Sequence, residues 1–366
     1  MIHPYTVPSN ISVMPNPLCK QDIKDFTKSR LISWLNQHGI APFRADQIFR
    51  WIYNAQTDDF SAMTNINKDI RALLAEYFTI GRLKIKAVES SNDGAQKYLF
   101  ELSDGNLIES VFIPGRTHDT LCISSQVGCA QGCKFCLTAK TGFIRNLSVG
   151  EILAQVRDIR KQIEPDRQIT NIVLMGMGEP LANYENVINA LEILTNSEAG
   201  LGFSPRKITL STAGLVPKIA QLGLDSQVNI AISLNAVDND TRNRLMPINK
   251  KYPIEQLMAV CREYPLLPRR KITFEYILIK DVNESPAHAK KLAALLRPIR
   301  AKINLIPFNP HEGCEMTRPD WDTVLKFQKI LNDLNYTANI RQSKGSDISA
   351  ACGQLRARAV PTAKTP

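Results

Sequence analysis

Apolar positions in the first eighty residues recur at helical spacing. DIKDFTKSRLISWLNQHG (22–39) runs to a glycine stop, and FRADQIFRWIYNA (43–55) places Ile48, Trp51 and Ile52 on one helical face. Residues 82 to 115 change period: apolar and polar positions alternate, and Asp104-Gly105 between KYLFEL and LIESVFI predicts a hairpin. After Pro114-Gly115 short apolar runs alternate with helical patterns. TLCISSQ, TNIVLMG, KITLST, VNIAISLNA, KITFEYILI and KINLIPF read as strands, each followed by a helical stretch, the last beginning near 320. Strands that are apolar throughout are expected where both faces of a sheet are covered. Six strand-helix units predict an α/β fold, a complete or partial parallel (β/α)6 barrel, carrying a small, mainly helical N-terminal accessory domain. The expected divisions are a flexible tail over 1–18, the accessory domain over 19–115, the barrel over 116–356 and a flexible basic tail over 357–366.

Composition narrows the class. The chain has 366 residues, 44% of them hydrophobic, enough for one large and one smaller core. No run approaches the roughly 18 apolar residues of a membrane helix, and MIHPYTVPSNISVMPNP has no apolar signal core, so a cytoplasmic protein without membrane contact is expected. The net charge of +10 is unevenly spread, with 13 Lys+Arg against 12 Asp+Glu in 1–116 and 32 against 23 beyond. Clusters around Arg157, Arg160 and Lys161, around Arg242, Arg244, Lys250 and Lys251, around Arg269 to Lys271, and at Arg341 and Lys344 suit a polyanion, nucleic acid first; solvated helix faces are the plainer reading.

Four of the eight cysteines crowd into CISSQVGCAQGCKFC, residues 122 to 136, whereas Cys19, Cys261, Cys314 and Cys352 are dispersed. Cys129, Cys133 and Cys136 form a CxxxCxxC spacing on a strand-to-helix loop. Thiolates in that pattern suit zinc or an iron-sulfur cluster, and three ligands on a four-iron cubane leave one iron open for a cofactor. Cys122, seven residues earlier and inside a strand, could complete a four-cysteine zinc knuckle instead.

CAQGCKFC resembles the cluster signature of radical S-adenosylmethionine enzymes. The longer stretches TLCISSQVGCAQGCKFCLTAKTGFIRNL, MGMGEP, INLIPFNP and IRQSKGSDISAACGQL are similar to the bacterial RNA methyltransferases that act on carbon 2 of adenine. PFRADQIFRWIYN and MTNINKDIR extend that similarity to the N-terminal part. The resemblance implies a partial radical S-adenosylmethionine barrel with one 4Fe-4S cluster on Cys129, Cys133 and Cys136. It also implies two molecules of S-adenosylmethionine per turnover, 23S ribosomal RNA and transfer RNA as substrates, and an electron donor such as flavodoxin; a monomer is the default expectation.

An aromatic carbon with no available lone pair resists ordinary methyl transfer, which is why a radical route is needed. In the family, Cys352 accepts a methyl group by polar transfer as an activated thiolate. A 5′-deoxyadenosyl radical formed at the cluster abstracts hydrogen from that methyl, and the carbon radical joins the adenine. Cys122 then resolves the covalent adduct through a disulfide with Cys352. Glu109 matches a proton acceptor, although by itself it reads as an exposed strand carboxylate. Gly178 and Glu179 in GMGEP, Ser211, the segment Ser233, Leu234 and Asn235, and Asn309 match contacts to S-adenosylmethionine. Asn235 stands where related chains carry histidine, and its amide can still donate or accept. Met175 and Met177 are read as strand-end packing, Trp34 and Trp51 as core. The rivals are carbon-8 methylation of the same base, a non-catalytic zinc protein that binds RNA, and a radical enzyme acting on a small molecule.

Overall fold

The computed structural model describes residues 20–311 and 313–357; Cys19, the expected N-terminal tail and residues 358–366 lie outside it. The chain opens with strand β1 (Gln21–Asp22) and helices α1 (Lys28–Gln37), α2 (Arg44–Phe49) and α3 (Lys68–Tyr77), and β2 (Phe78–Thr79) returns to pair with β1 in parallel. The Thr27 side chain caps α1, whose stripe of Leu31, Trp34 and Leu35 is buried. Trp34 packs edge-on against Phe78, ring centroids 4.9 Å apart. Trp51 is half-buried and donates to Asn65 Oδ1 at 2.7 Å.

Strands β3 (Lys84–Ser90), β4 (Gln96–Glu101) and β5 (Leu107–Ile113) follow as an antiparallel meander, with Asp104-Gly105 in the expected turn. Next come β6 (Asp119–Cys122), β7 (Gln126–Gly128), α4 (Leu137–Lys140) and β8 (Phe143–Asn146), with β7 and β8 paired around the cysteine loop. The remaining units alternate: α5 (Val149–Arg160), β9 (Ile169–Leu174), α6 (Tyr184–Thr195), β10 (Ile208–Thr212), α7 (Val216–Asp225), β11 (Asn229–Ser233), α8 (Asn239–Leu245), α9 (Ile254–Glu263), β12 (Ile272–Leu278), α10 (Pro286–Leu296), β13 (Ala301–Pro307), α11 (Trp321–Asp333) and β14 (Ala338–Ile340).

All six expected strands appear in one parallel run, β6-β9-β10-β11-β12-β13, and β14 adds a seventh that three residues could not announce by pattern. The same sheet continues from β6 through β5 and β4 to β3, ten strands in all. Hydrogen bonding therefore crosses Pro114-Gly115, with Val111 opposite Cys122 and Ile113 opposite Thr120. The antiparallel meander is an extension of the barrel sheet, because a connection of a few residues leaves β5 beside β6.

Helix α5 is buried along nearly its whole length, since the sheet covers one side and the N-terminal helices the other. Its start is fixed by a capping box of Ser148 and Glu151. Inside it, Gln155 accepts from Ser110 Oγ at 2.7 Å and Ser124 N at 2.8 Å, tying β5 to the end of β6. Arg157, which sequence grouped with surface cations, is fully buried and reaches Asp58 at 2.9 Å; Arg82 binds Asp158 at 2.8 Å. Asp25 accepts from Gly150 N at 2.7 Å. These contacts fasten the N-terminal helices to the barrel.

Candidate functional site

The carboxyl ends of the parallel strands surround a cavity of about 490 Å³, the position where such sheets place their chemistry. Cys129, Cys133 and Cys136 line one wall; Gly178, Glu179, Ser211, Ser233 and Asn235 line another, and Cys352 closes the opening. The first half of the motif is held by backbone pairing. After β6, Ser125 N and Gln126 N both donate to Met177 O, at 2.8 and 3.2 Å, so the cysteine loop and the GMGEP loop leave the sheet together. Gly178 sits at φ +101, and a Cβ there would lie 2.6 Å from Gln126 Cβ, so only glycine permits this approach.

The three loop cysteines are half-buried, and desolvation raises the thiols of Cys129, to about 12, and Cys133. Three soft donors lining one cavity, two of them costly to ionise unless a cation is present, fit an iron-sulfur cluster. Among the described residues no three His, Cys, Asp or Glu side chains converge as ligands of a single ion, which is the arrangement a zinc knuckle requires.

Glu179 is buried, and burial pushes its carboxyl up to about 7. Its oxygens accept from Ala213 N at 2.7 Å and Leu181 N at 3.1 Å, which fixes the carboxylate while leaving lone pairs for an ammonium. Ser211 is the penultimate residue of β10 and Ser233 the last of β11. Leu234 is fully buried and outside the cavity wall, its N–H donating to Glu275 O at 3.0 Å, so any contact it makes with a ligand runs through backbone. Asn235, at φ +58, has its amide oxygen committed to Ile277 N at 2.8 Å and its Nδ2 against Met246 Sδ at 3.3 Å. In this chain that side chain braces the loop.

Asn309 also does something other than face the cavity. Its Nδ2 donates to Ser343 Oγ at 2.9 Å and to Cys352 O at 3.3 Å, and its oxygen accepts from Arg318. It anchors the segment that carries Cys352. Cys352 is exposed as a residue while its sulfur is desolvated, which raises the thiol; Glu275 raises it further and Arg341 acts in the opposite sense. Cys122, at the end of β6, is buried, and its thiol is raised by desolvation first and then by Cys352.

Glu109 differs from its exposed sequence reading: it is buried and absent from the cavity wall. Arg242, grouped with surface cations by sequence, is buried too; it donates to Leu234 O at 3.1 Å and Ala213 O at 2.7 Å, stitching the cofactor loops together. Met177 is buried, whereas Met175 reaches the cavity wall. Sequence reasoning missed Glu275 and Ser343, both in that wall, where Arg341 and Lys344 of the basic clusters also lie. Glu275 had a signal: it is the one charge inside the apolar run ITFEYIL.

Comparison with known proteins places this geometry. Residues 21–80 match the ribosomal RNA large subunit methyltransferase N-terminal domain, and residues 123–293 match the radical SAM superfamily. The chain is 57% identical over 356 residues to the dual-specificity RNA methyltransferase RlmN of Desulfosudis oleivorans, covering 96% of each. It is 51% identical over 339 residues to the protein of the same name from Geotalea uraniireducens, covering 93% of this chain and 97% of that one. A crystal structure of a radical SAM methyltransferase from Sphaerobacter thermophilus superposes with a TM-score of 0.86 at 43% identity, over 92% of this chain and all of the other.

Proposed function

Given that the chain belongs to the RlmN family of dual-specificity RNA methyltransferases, we propose that its cavity methylates carbon 2 of adenine in 23S ribosomal RNA and transfer RNA through Cys352 and Cys122. The protein is a radical S-adenosylmethionine enzyme with a 4Fe-4S cluster. Cys129, Cys133 and Cys136 would hold the cluster, which when bound to S-adenosylmethionine supplies a carbon radical that an adenine ring carbon otherwise cannot encounter. Glu179 receives the ammonium of the cofactor, and Ser211 and Ser233 give hydroxyls on the same wall.

The observation that supports the two-cysteine reading is the lining of the cavity. Cys352, over two hundred residues after the loop cysteines, lines the same cavity as they do, and β6, which ends at Cys122, reaches it through Thr120. Cys352 is exposed, so it can accept a methyl group and meet a base; Cys122 is buried in a sheet strand, so it can reach only what Cys352 brings. No described helix is long and apolar enough to cross a membrane, and the RNA substrates support a cytoplasmic setting; the cluster would need an electron donor, for which one of the flavodoxin class is our reading.

The test is an anaerobic reaction of cluster-loaded protein with S-adenosylmethionine, reductant and a large-subunit RNA fragment, read by nucleoside mass spectrometry. Wild type is expected to give 2-methyladenosine and Cys352→Ala none. Formation of 8-methyladenosine alone would move the reading to the carbon-8 rival. Iron-free, inactive protein holding stoichiometric zinc would move it to the RNA-binding rival.

A further inference from the structure

The segment 343–357 crosses the mouth of the cavity as a strap, and the meander β3-β4-β5 holds one side of it. Asp347 accepts from Ser91 Oγ at 2.6 Å and Asn92 N at 3.1 Å, Gly345 N donates to Asp93 at 2.8 Å, and Lys344 reaches Pro114 O at 2.6 Å. Beyond Cys352, Thr138 Oγ1 donates to Leu355 O at 2.6 Å, and the last two described residues are held by one side chain of the sheet. Glu109 Oε2 accepts from Arg356 N at 2.8 Å and from Ala357 N at 3.1 Å. Its other oxygen lies 3.5 Å from Lys97 Nζ, and that ammonium donates to Ile348 O at 2.7 Å and pairs with Glu89 at 3.2 Å. In the register Glu89 stands opposite Lys97 and Leu99 opposite Glu109, so the three charges run diagonally over one face of the meander. They grip the strap on both sides of Cys352.

We propose that Glu109 is a positioning residue that docks the Cys352 strap onto the sheet. Glu109 is buried and has both oxygens engaged. Its carboxylate keeps the chain after Cys352 pinned while the chain before it is held through Lys97. The docking stands on geometry alone; its effect on catalysis rests on Cys352 being the methyl carrier.

The experiment uses full-length, cluster-loaded protein, wild type, Glu109→Ala, Glu109→Gln and Lys97→Met, with two readouts. The first is amide hydrogen exchange of peptides spanning 343–357 without RNA. Glu109→Ala is expected to speed exchange there about ten-fold or more, as loss of a charged acceptor for buried N–H groups does, while Glu109→Gln, which keeps a carbonyl oxygen, stays close to wild type. Should Glu109→Ala not fold, Lys97→Met carries the same expectation. The second is methyl loading of Cys352 by S-adenosylmethionine, read by peptide mass spectrometry: it falls with strap protection in Glu109→Ala and is restored in Glu109→Gln. Unchanged exchange in the alanine variant overturns the proposal. So does a glutamine variant as inactive as alanine that loads Cys352 normally and accumulates a covalent RNA adduct, the behaviour of a missing proton acceptor. Absence of methyl loading in wild type with the exchange difference intact would sink the methyl-carrier reading and leave the docking standing.

Discussion

Cys122 and Cys352 differ in how the chain holds them. Cys122 ends β6 in the middle of a ten-stranded sheet, buried and opposite Val111 and Val173 in the ladder. Cys352 rides on a strap without strand or α-helix, exposed, fixed by isolated hydrogen bonds: Asn309 to its own carbonyl at 3.3 Å, Leu137 N to Gly353 O at 2.7 Å, Thr138 Oγ1 to Leu355 O at 2.6 Å, and the Glu109 contacts. A sulfur that must approach first a methyl donor and then an RNA base benefits from a mobile mount. A sulfur that must be present only at the end benefits from a fixed one. On the proposed mechanism, the difference in mounting fits the order of use.

The sharpest way to break that assignment is to remove each sulfur in turn. Cys352→Ala should form neither product nor any covalent RNA species, whereas Cys122→Ala should accumulate protein cross-linked to RNA through Cys352, visible as a shifted band and by peptide mass spectrometry. Product formation should fall below detection in both. If Cys352→Ala produced the adduct, the roles would be exchanged and the mounting argument would fail.

Next in size is mobility. Strap amides over 345–353 are expected to exchange at least one hundred-fold faster than those of β6, because ladder amides in a central strand open only with global unfolding and strap amides open locally. Equal protection of the two segments would remove the basis of the comparison. A smaller effect attaches to Asn309. Asn309→Ala deletes bonds to Cys352 O and Ser343 Oγ, worth about 1 kcal/mol each in net stability. Methyl loading of Cys352 should drop roughly ten-fold while the absorbance of the cluster is retained; loss of cofactor affinity with normal loading would return Asn309 to the cofactor wall.

The same contrast explains what the sequence could and could not tell. Cys129, Cys133 and Cys136 are readable because a loop motif puts its ligands close in sequence, and the six parallel strands because burial on both faces leaves an apolar run. Glu109 was misread as exposed, since the pattern LIESVFI carries no sign that a segment some 250 residues later folds over it. Arg157 and Arg242 were counted as surface charge for the same reason: what buries them is Asp58 in one case and the carbonyls of Ala213 and Leu234 in the other, contacts that exist only after folding. The meander was separated from the barrel because sequence shows a change of period at Pro114-Gly115 and cannot show which strand pairs with which. β14 was missed because three residues make no pattern.

The smallest expected effect bears on the fixed side of the site. Glu179 is held by Ala213 N and Leu181 N on rigid loops, so its ionisation responds to burial rather than to motion, and its carboxyl sits at about 7. Below that value it is mainly neutral and offers less to an ammonium. Between pH 8 and pH 6 the ionised fraction falls about ten-fold for a group titrating there, while an α-amino group with an ordinary value near 8 gains charge about two-fold. Affinity of cluster-loaded protein for S-adenosylmethionine should therefore weaken about five-fold from pH 8 to pH 6, measured by equilibrium dialysis with labelled cofactor. Glu179→Gln should bind more weakly at pH 8 and lose this decline. An affinity that strengthens toward pH 6 in wild type would mean that Glu179 does not receive the ammonium, and that its role is confined to bracing the Ala213 and Leu181 backbones.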